Sequence, residues 1–205
     1  MAQASQFAIP ESRWSDDAAA ALSPEQALLY RSNLLGGGSD LTITNFGGGN
    51  TSGKIAAKDP LTGERVGVLW VKGSGGDIGS MKLDGFATLY LDKLLGLEKL
   101  YRGVAHEDEM VGYLAHCTFN LNPRAASIDT PLHAFLPFAD VDHVHPDAVI
   151  ALAASSQGRE ATRRSMARMS AGCPGSGRVS IWDCACAITS PAIPACAASC
   201  WRTTV

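Results

Sequence analysis

Two histidines that stand two residues apart could bind a metal ion. His143 and His145 belong to the sequence DHVHPDA, which begins at Asp142. The segment VDHVH predicts a short β-strand, in which residues i and i+2 point to the same face. Two imidazoles on one face suit a single zinc ion, and Asp142 or Asp147 could orient one of them from behind. Taken alone, the pair could equally be surface or core histidines.

Two glycine-rich segments could bind an anion. They are NFGGGNTSGK, from Asn45 to Lys54, and VKGSGGDIG, from Val71 to Gly79. Glycine adopts positive φ readily, so successive backbone amides can converge on one negative group. Neither segment matches the GxxxxGK[ST] phosphate loop or the GxGxxG dinucleotide fingerprint. Each could be a flexible turn, but two in one small domain favour a shared anion.

One carboxylate occupies a position where two interpretations compete. Asp129 lies between Ser127 and His133 in ASIDTPLH. It could cap a helix that starts at Thr130, with Pro131 in the first turn. In isolation this pattern favours the capping residue, and a role in proton transfer needs further support.

The segments that must position these residues alternate between helix and strand. SPEQALLYRSNLL predicts a helix that begins with a Ser–x–x–Gln capping box at Ser23. DLTITNF and RVGVLWVK predict strands, since they are rich in branched and aromatic residues. Further helices are predicted from about Gly85, from about Glu107, and from Pro146 as first helical residue. Such a mixture predicts a layered α/β fold.

The whole-chain figures exclude several classes of partner. The chain has 205 residues and a formal net charge of -3 at pH 7. This charge gives no indication of binding to nucleic acid or to an acidic membrane. The first residues contain no apolar stretch of the kind found in signal peptides, and no run of about 18 apolar residues occurs. We therefore expect a cytoplasmic protein that binds a small molecule.

The composition changes abruptly along the chain. Residues 1–163 contain every lysine and histidine and 19 of the 20 acidic residues. Residues 164–205 contain five of the six cysteines and a single acidic residue, Asp183. Because globular proteins are typically about one-quarter charged, the two parts call for separate interpretations.

The motifs of the first part together resemble the class II aldolase/adducin family. The resemblance extends over about residues 8–163 and follows the family order of Gly-Asn loop, Ser/Gly loop, serine with carboxylate, and HxH. It is carried by LTITNFGGGNTS, LWVKGSGGD, DGFATLYLDKL, HEDEMV, NPRAASIDTPLHAFLPFA and VDHVHPDAVIA. It is most similar to the aldolase part of two-part enzymes that join a rhamnulose-1-phosphate aldolase to a short-chain dehydrogenase.

The resemblance implies a fold, a cofactor and roles for individual residues. It implies an α/β/α class II aldolase-like domain that binds Zn²⁺ and cleaves a ketose 1-phosphate to dihydroxyacetone phosphate and an aldehyde. His143 and His145 match the first two zinc ligands, and Asp129 stands where the family usually has a glutamate as acid and base. The positions that match phosphate-binding residues of the family are Gly49, Asn50, Ser74, Gly75 and Ser127. Family members are often homo-oligomers.

The second part departs from the family. The resemblance stops near Arg163, and no histidine follows His145 to serve as the third ligand. Codons that encode residues 163–182, read with one G restored beside Arg163, can encode REIYGADVGWLPWQRPGFDL. The same frame permits a later EDHG, which would supply the missing histidine. The cysteine spacings CAC and CAASC fit zinc sites poorly, and disulfides would need an oxidising compartment. We interpret residues 164–205 as an out-of-frame, non-native tail, with a metal-binding tail or a genuine extension as alternatives.

The sequence therefore predicts a C-terminally truncated class II aldolase domain, residues 1–163, with impaired or absent activity. The competing interpretation is a non-catalytic protein, either an adducin-like interaction module or the inactive product of a frameshifted gene.

Overall fold

The structure, a computed structural model, describes residues 12–37, 43–158 and 160. The predicted out-of-frame tail, residues 164–205, lies outside the described residues, as does the early part of DLTITNF, up to Thr42.

A four-stranded antiparallel sheet forms the centre of the described part. Its strand order is β3-β2-β1-β4. β1 pairs with β2 over seven residue pairs, from Ser52 opposite Val71 to Lys58 opposite Arg65. β4 returns late in the chain to pair with the start of β1, where His143 stands opposite Asn50. The strands are β1 Asn50–Lys58, β2 Arg65–Lys72, β3 Phe86–Tyr90 and β4 Asp140–His143.

Six α-helices and several short 3₁₀ turns surround the sheet in the described part. None of the helices found there is long and apolar enough to cross a membrane. The helices are α1 Asp16–Ala20, α2 Pro24–Gly36, α3 Leu91–Gly96, α4 Glu107–Tyr113, α5 Thr130–Phe135 and α6 Asp147–Ala154.

Helix α2 covers one face of the sheet. It begins with the predicted capping box, in which Ser23 and Gln26 each bond the other's backbone. Its Ser32 Oγ lies 2.5 Å from Oγ1 of Thr51 on β1, and both side chains are buried. A side chain at Gly53 would lie on the same face of β1 as Thr51. Because glycine has none, a Leu28 methyl group fits there.

The opposite face carries the main hydrophobic core. Alternate residues of β2 and β3 point into it, and α3, α4 and α5 close over them. From α5, His133 bonds Ser52, which points away from α2. The predicted α/β/α layering is therefore confirmed. The core residues are Leu69, Val71, Ala87, Leu89, Leu94, Leu97, Met110, Leu114, Cys117, Ala134 and Phe135.

Four predictions of local structure are wrong. Residues 43–46 of DLTITNF are not a strand, because their backbone bonds the HxH segment rather than a neighbouring strand. The second half of NFGGGNTSGK is not a loop but the start of β1. The helix predicted from about Gly85 is β3 as far as Tyr90, since this apolar segment pairs with β2 and only then turns helical. Pro146 is the N-cap of α6 rather than its first helical residue.

Candidate active site

The Nε2 atoms of His143 and His145 lie 3.1 Å apart. His143 is the last residue of β4, and His145 follows two residues later, beyond the strand. Two imidazole nitrogens bound tetrahedrally to zinc at about 2.0–2.1 Å stand roughly 3.3 Å apart. The pair therefore fits two ligands of one zinc ion, with one imidazole presented by the strand and the other by the loop after it.

The second nitrogen of His143 faces the predicted catalytic carboxylate. Nδ1 of His143 is buried and has no hydrogen-bond partner among the described residues, and Asp129 Oδ2 lies 3.8 Å away. Burial lowers the pKa of His143, more than the Asp129 charge raises it. A neutral imidazole is the form that binds a metal, and a carboxylate behind it is the usual means of orienting the ring.

Asp129 occupies the N-cap position of α5 but does not act as a capping side chain. Its carboxylate makes no bond to the first turn of the helix. Instead Oδ2 accepts a hydrogen bond from Ser127 Oγ at 3.1 Å, and the Ser127 oxygen in turn accepts one from the Asp129 amide. The carboxylate is thereby turned towards His143 and stays about one-fifth exposed.

The first glycine segment packs directly on the HxH segment. Gly49 has a φ of 79°, and a Cβ there would come within 2.4 Å of the His143 carbonyl oxygen. The Asn45 amide donates to the His145 carbonyl at 3.1 Å. Only glycine at position 49 allows this close approach of two backbones, so the segment holds the histidines in place.

Asp77 joins the two glycine segments. Its Oδ1 accepts a hydrogen bond from the Gly47 amide at 3.1 Å, and its Oδ2 accepts from the Gly79 amide at 3.0 Å and from Ser80 Oγ. The two segments thus lie side by side, as the hypothesis of a shared anion requires.

Beside them opens a cavity of about 280 Å³. Of the five positions predicted to bind phosphate, Gly75 lies in its wall. Gly49, Asn50 and Ser127 are buried close to the histidines or Asp129, and Ser74 is exposed with its amide already bonded to the Ala125 carbonyl. The described lining consists of Lys72, Gly75, Gly76, Asp77, Ser80, Met81, Lys82, Asp84, Gly85 and Arg124.

Lys72 is a charged residue of the site that sequence reasoning missed. It is the last residue of β2 and only 4% exposed, yet it borders the cavity. Burial lowers its pKa, while the nearby charges of Asp77 and Asp129 partly oppose that effect. Its position at the end of an apolar strand, directly before the first glycine of the second segment, was the available signal.

A complete metal site does not form within the described residues. Across 12–37, 43–158 and 160, no group of three or more His, Cys, Asp or Glu side chains is arranged to hold a metal ion. The two histidines fit zinc, and the third ligand implied by the resemblance has no counterpart in this part of the chain.

Comparison with known proteins identifies the fold. A solved structure of the N-terminal class II aldolase domain of a conserved protein from Thermoplasma acidophilum superimposes with a TM-score of 0.67 and 26% sequence identity. The match covers 94% of this chain and 83% of that one. This chain has a class II aldolase-like fold.

A sequence relative extends the comparison. The class II aldolase-like chain is 45% identical over 148 residues to a Bacillus subtilis (strain 168) protein described as the uncharacterized oxidoreductase YuxG. The match covers 72% of this chain but only 21% of that protein, so the chain corresponds to about one-fifth of its relative's length. No protein-family profile matches the sequence.

Proposed function

We propose that residues 1–163 belong to a zinc-dependent aldolase domain that is impaired in this chain and that, once complete, cleaves a ketose 1-phosphate similar to rhamnulose 1-phosphate. The products are dihydroxyacetone phosphate and an aldehyde. The observation that carries the proposal is the convergence of His143, His145 and Asp129: two imidazole nitrogens 3.1 Å apart, with a carboxylate 3.8 Å behind the first ring.

Each of these residues suits one part of an aldol cleavage. The Asp129 carboxylate takes the proton of the C4 hydroxyl while the C3–C4 bond breaks and the C4 aldehyde forms. It then returns a proton to C3 of the three-carbon product. Aspartate is one methylene shorter than the glutamate usual in the family, and its bond from Ser127 fixes the direction of the carboxylate.

The histidines would hold the metal. Bound to His143 and His145, zinc would supply positive charge beside the substrate oxygens that become negative during cleavage. The substrate phosphate would lie over the Ser74–Gly75 turn, where the buried Lys72 ammonium adds a further positive charge.

The absence of a third ligand from the described residues favours a second candidate, a non-catalytic domain. In this alternative the fold is kept while the metal site is incomplete, as in an adducin-like interaction module or the inactive product of a damaged gene. The two candidates differ in whether the domain releases dihydroxyacetone phosphate once its metal site is complete.

Zinc titration and an assay of dihydroxyacetone phosphate release first test the incomplete metal site of the 205-residue chain. We expect the 205-residue chain to hold zinc weakly, to lose it to a chelator and to release little product. His143→Ala should abolish the remaining zinc binding, whereas His116→Ala, at an exposed position outside the site, should leave it unchanged.

The chain with one G restored beside Arg163, continued in the new frame, should bind zinc tightly and cleave rhamnulose 1-phosphate. Asp129→Asn, of the same shape, should then lower turnover about 10²-fold or more while zinc stays bound. A restored chain that folds and binds zinc but releases no product would contradict the aldolase proposal and favour the non-catalytic domain.

A further inference from the structure

Arg124 lies over the turn of the second glycine segment. Its Nη1 atom is 3.9 Å from the point where a Cβ on Gly75 would stand and 3.6 Å from the corresponding point on Gly76. Both glycines have left-handed backbone, with φ of 74° and 77°. The guanidinium therefore borders the same cavity as this turn.

Two contacts hold Arg124 in this position. A Cβ on Gly73 would stand 2.9 Å from the Arg124 Cβ, so the arginine backbone can come this close only because residue 73 is glycine. Next to it, the Ser74 amide donates to the Ala125 carbonyl at 2.9 Å. The arginine is thus fixed at its base to the glycine segment, and the residue as a whole is exposed.

The guanidinium has no protein partner in the part of the chain that the structure describes: no ion pair and no side-chain hydrogen bond of Arg124 occurs there. Two carboxylates also line the cavity. The Asp77 carboxylate already accepts hydrogen bonds from the Gly47 and Gly79 amides and from Ser80 Oγ, and Asp84 is exposed at the rim. With Lys72 and Lys82, the wall holds three cationic side chains against two carboxylates.

We propose that Arg124 is the specificity-determining residue that binds the substrate's phosphate monoester and makes this site prefer a phosphorylated sugar to the free sugar. The inference rests on the proposed function and adds a residue to it. A guanidinium matches phosphate oxygens with two parallel hydrogen bonds, which a lone ammonium cannot do. Gly75 and Gly76 line the same cavity and carry no side chain that would block the approach of a phosphate to the guanidinium.

Isothermal titration with inorganic phosphate, dihydroxyacetone phosphate and dihydroxyacetone tests this role. Arg124→Gln should weaken binding of both phosphate compounds by about tenfold or more, and Arg124→Lys should give an intermediate affinity. Binding of dihydroxyacetone should be unaffected. Arg65→Gln is the matched control, because it removes the same charge from an exposed position at the other end of β2.

Equal phosphate affinity of the wild-type and Arg124→Gln proteins would overturn the inference, as would a wild-type protein that binds no phosphate. Circular dichroism checks that each variant is folded. If the 205-residue chain is insoluble, the same substitutions are made and titrated in the frame-restored chain. The aldol-cleavage assay judges the proposed function separately. Phosphate binding that depends on Arg124 in a frame-restored chain without cleavage would leave this inference standing and remove the aldolase proposal alone.

Discussion

His133 shows how the environment of one residue sets its chemistry. Its side chain is fully buried on α5, with Nδ1 2.7 Å from Ser52 Oγ, and its Nε2 has no hydrogen-bond partner in the part of the chain that the structure describes. Ser52 donates its own proton to the Val141 carbonyl, so the histidine must donate from Nδ1 and keep a bare Nε2. Burial, assisted by the nearby His143, lowers the pKa of His133 to about 3.

This buried histidine predicts a loss of stability in weak acid. The unfolded chain takes up a proton on His133 near its ordinary pKa of 6.5, whereas the folded chain resists it down to about 3. The free energy of unfolding should therefore be at its full value above pH 6.5 and fall by up to a few kcal/mol as the pH drops towards 3. Urea unfolding at several pH values measures this decline.

His133→Asn is the variant that tests the cause, because asparagine can still donate to Ser52 but does not titrate. This variant should lose less free energy of unfolding than the wild type as the pH falls, whereas His116→Asn, at an exposed position, should lose as much as the wild type. The lowered pKa of His143 leaves a part of the slope in both variants. An unchanged slope in His133→Asn would show that other groups govern acid stability.

At the scale of elements, the glycine segment at the start of β1 is a candidate anion site and also allows the backbones of β1 and β4 to pack closely. Gly47 and Gly49 have nearly the same left-handed φ, 75° and 79°. No atom of the described residues lies within 4 Å of a Cβ at Gly47, whereas at Gly49 the His143 carbonyl oxygen would be 2.4 Å away. The two positions thus separate the cost of backbone conformation from the cost of a clash.

We expect Gly47→Ala to lower the free energy of unfolding by about 1–2 kcal/mol, the cost of left-handed backbone in a residue with a Cβ. Gly49→Ala should cost about 1–3 kcal/mol more, because β1 and β4 must move apart to admit the methyl group. It should also weaken zinc binding, since it displaces His143. Urea unfolding and zinc titration of both variants provide the comparison, and equal losses would disprove the packing role.

At the scale of the whole molecule, the two edges of the sheet differ. The outer edge of β3 is covered, since Asn122 bonds the amide and carbonyl of Thr88 and the Phe119 amide bonds the same carbonyl. Beyond β4, no described strand pairs with the outer edge. An uncovered strand edge is a template for association with other chains. The in-frame continuation of the domain is the segment that we expect to cover it.

Restoring one G beside Arg163 and continuing in the new frame should therefore yield a soluble protein that unfolds cooperatively. The 205-residue chain should aggregate or unfold readily, with residues 164–205 cleaved first by protease. Limited proteolysis and thermal unfolding of both chains make the comparison. Cooperative unfolding of the 205-residue chain, with its tail protected, would show that the tail is genuine structure.

The sequence by itself determined the layered class, the α2 capping box, strand β2 and the strand that carries His143. These depend on local signals: a serine three residues before a glutamine, and runs of branched and aromatic residues. It also singled out Asp129, but favoured the capping role because that role needs only neighbouring residues.

Only the tertiary structure decided how the separated segments meet. The FATLY segment is β3 because β2 lies beside it, and β1 starts inside the glycine segment because β4 returns to pair there. The Asp129 carboxylate turns from the helix to His143, and Lys72 and Arg124 come to share one cavity, through contacts between residues far apart in the chain. Hydrophobic periodicity describes one segment at a time and carries no information about such partners.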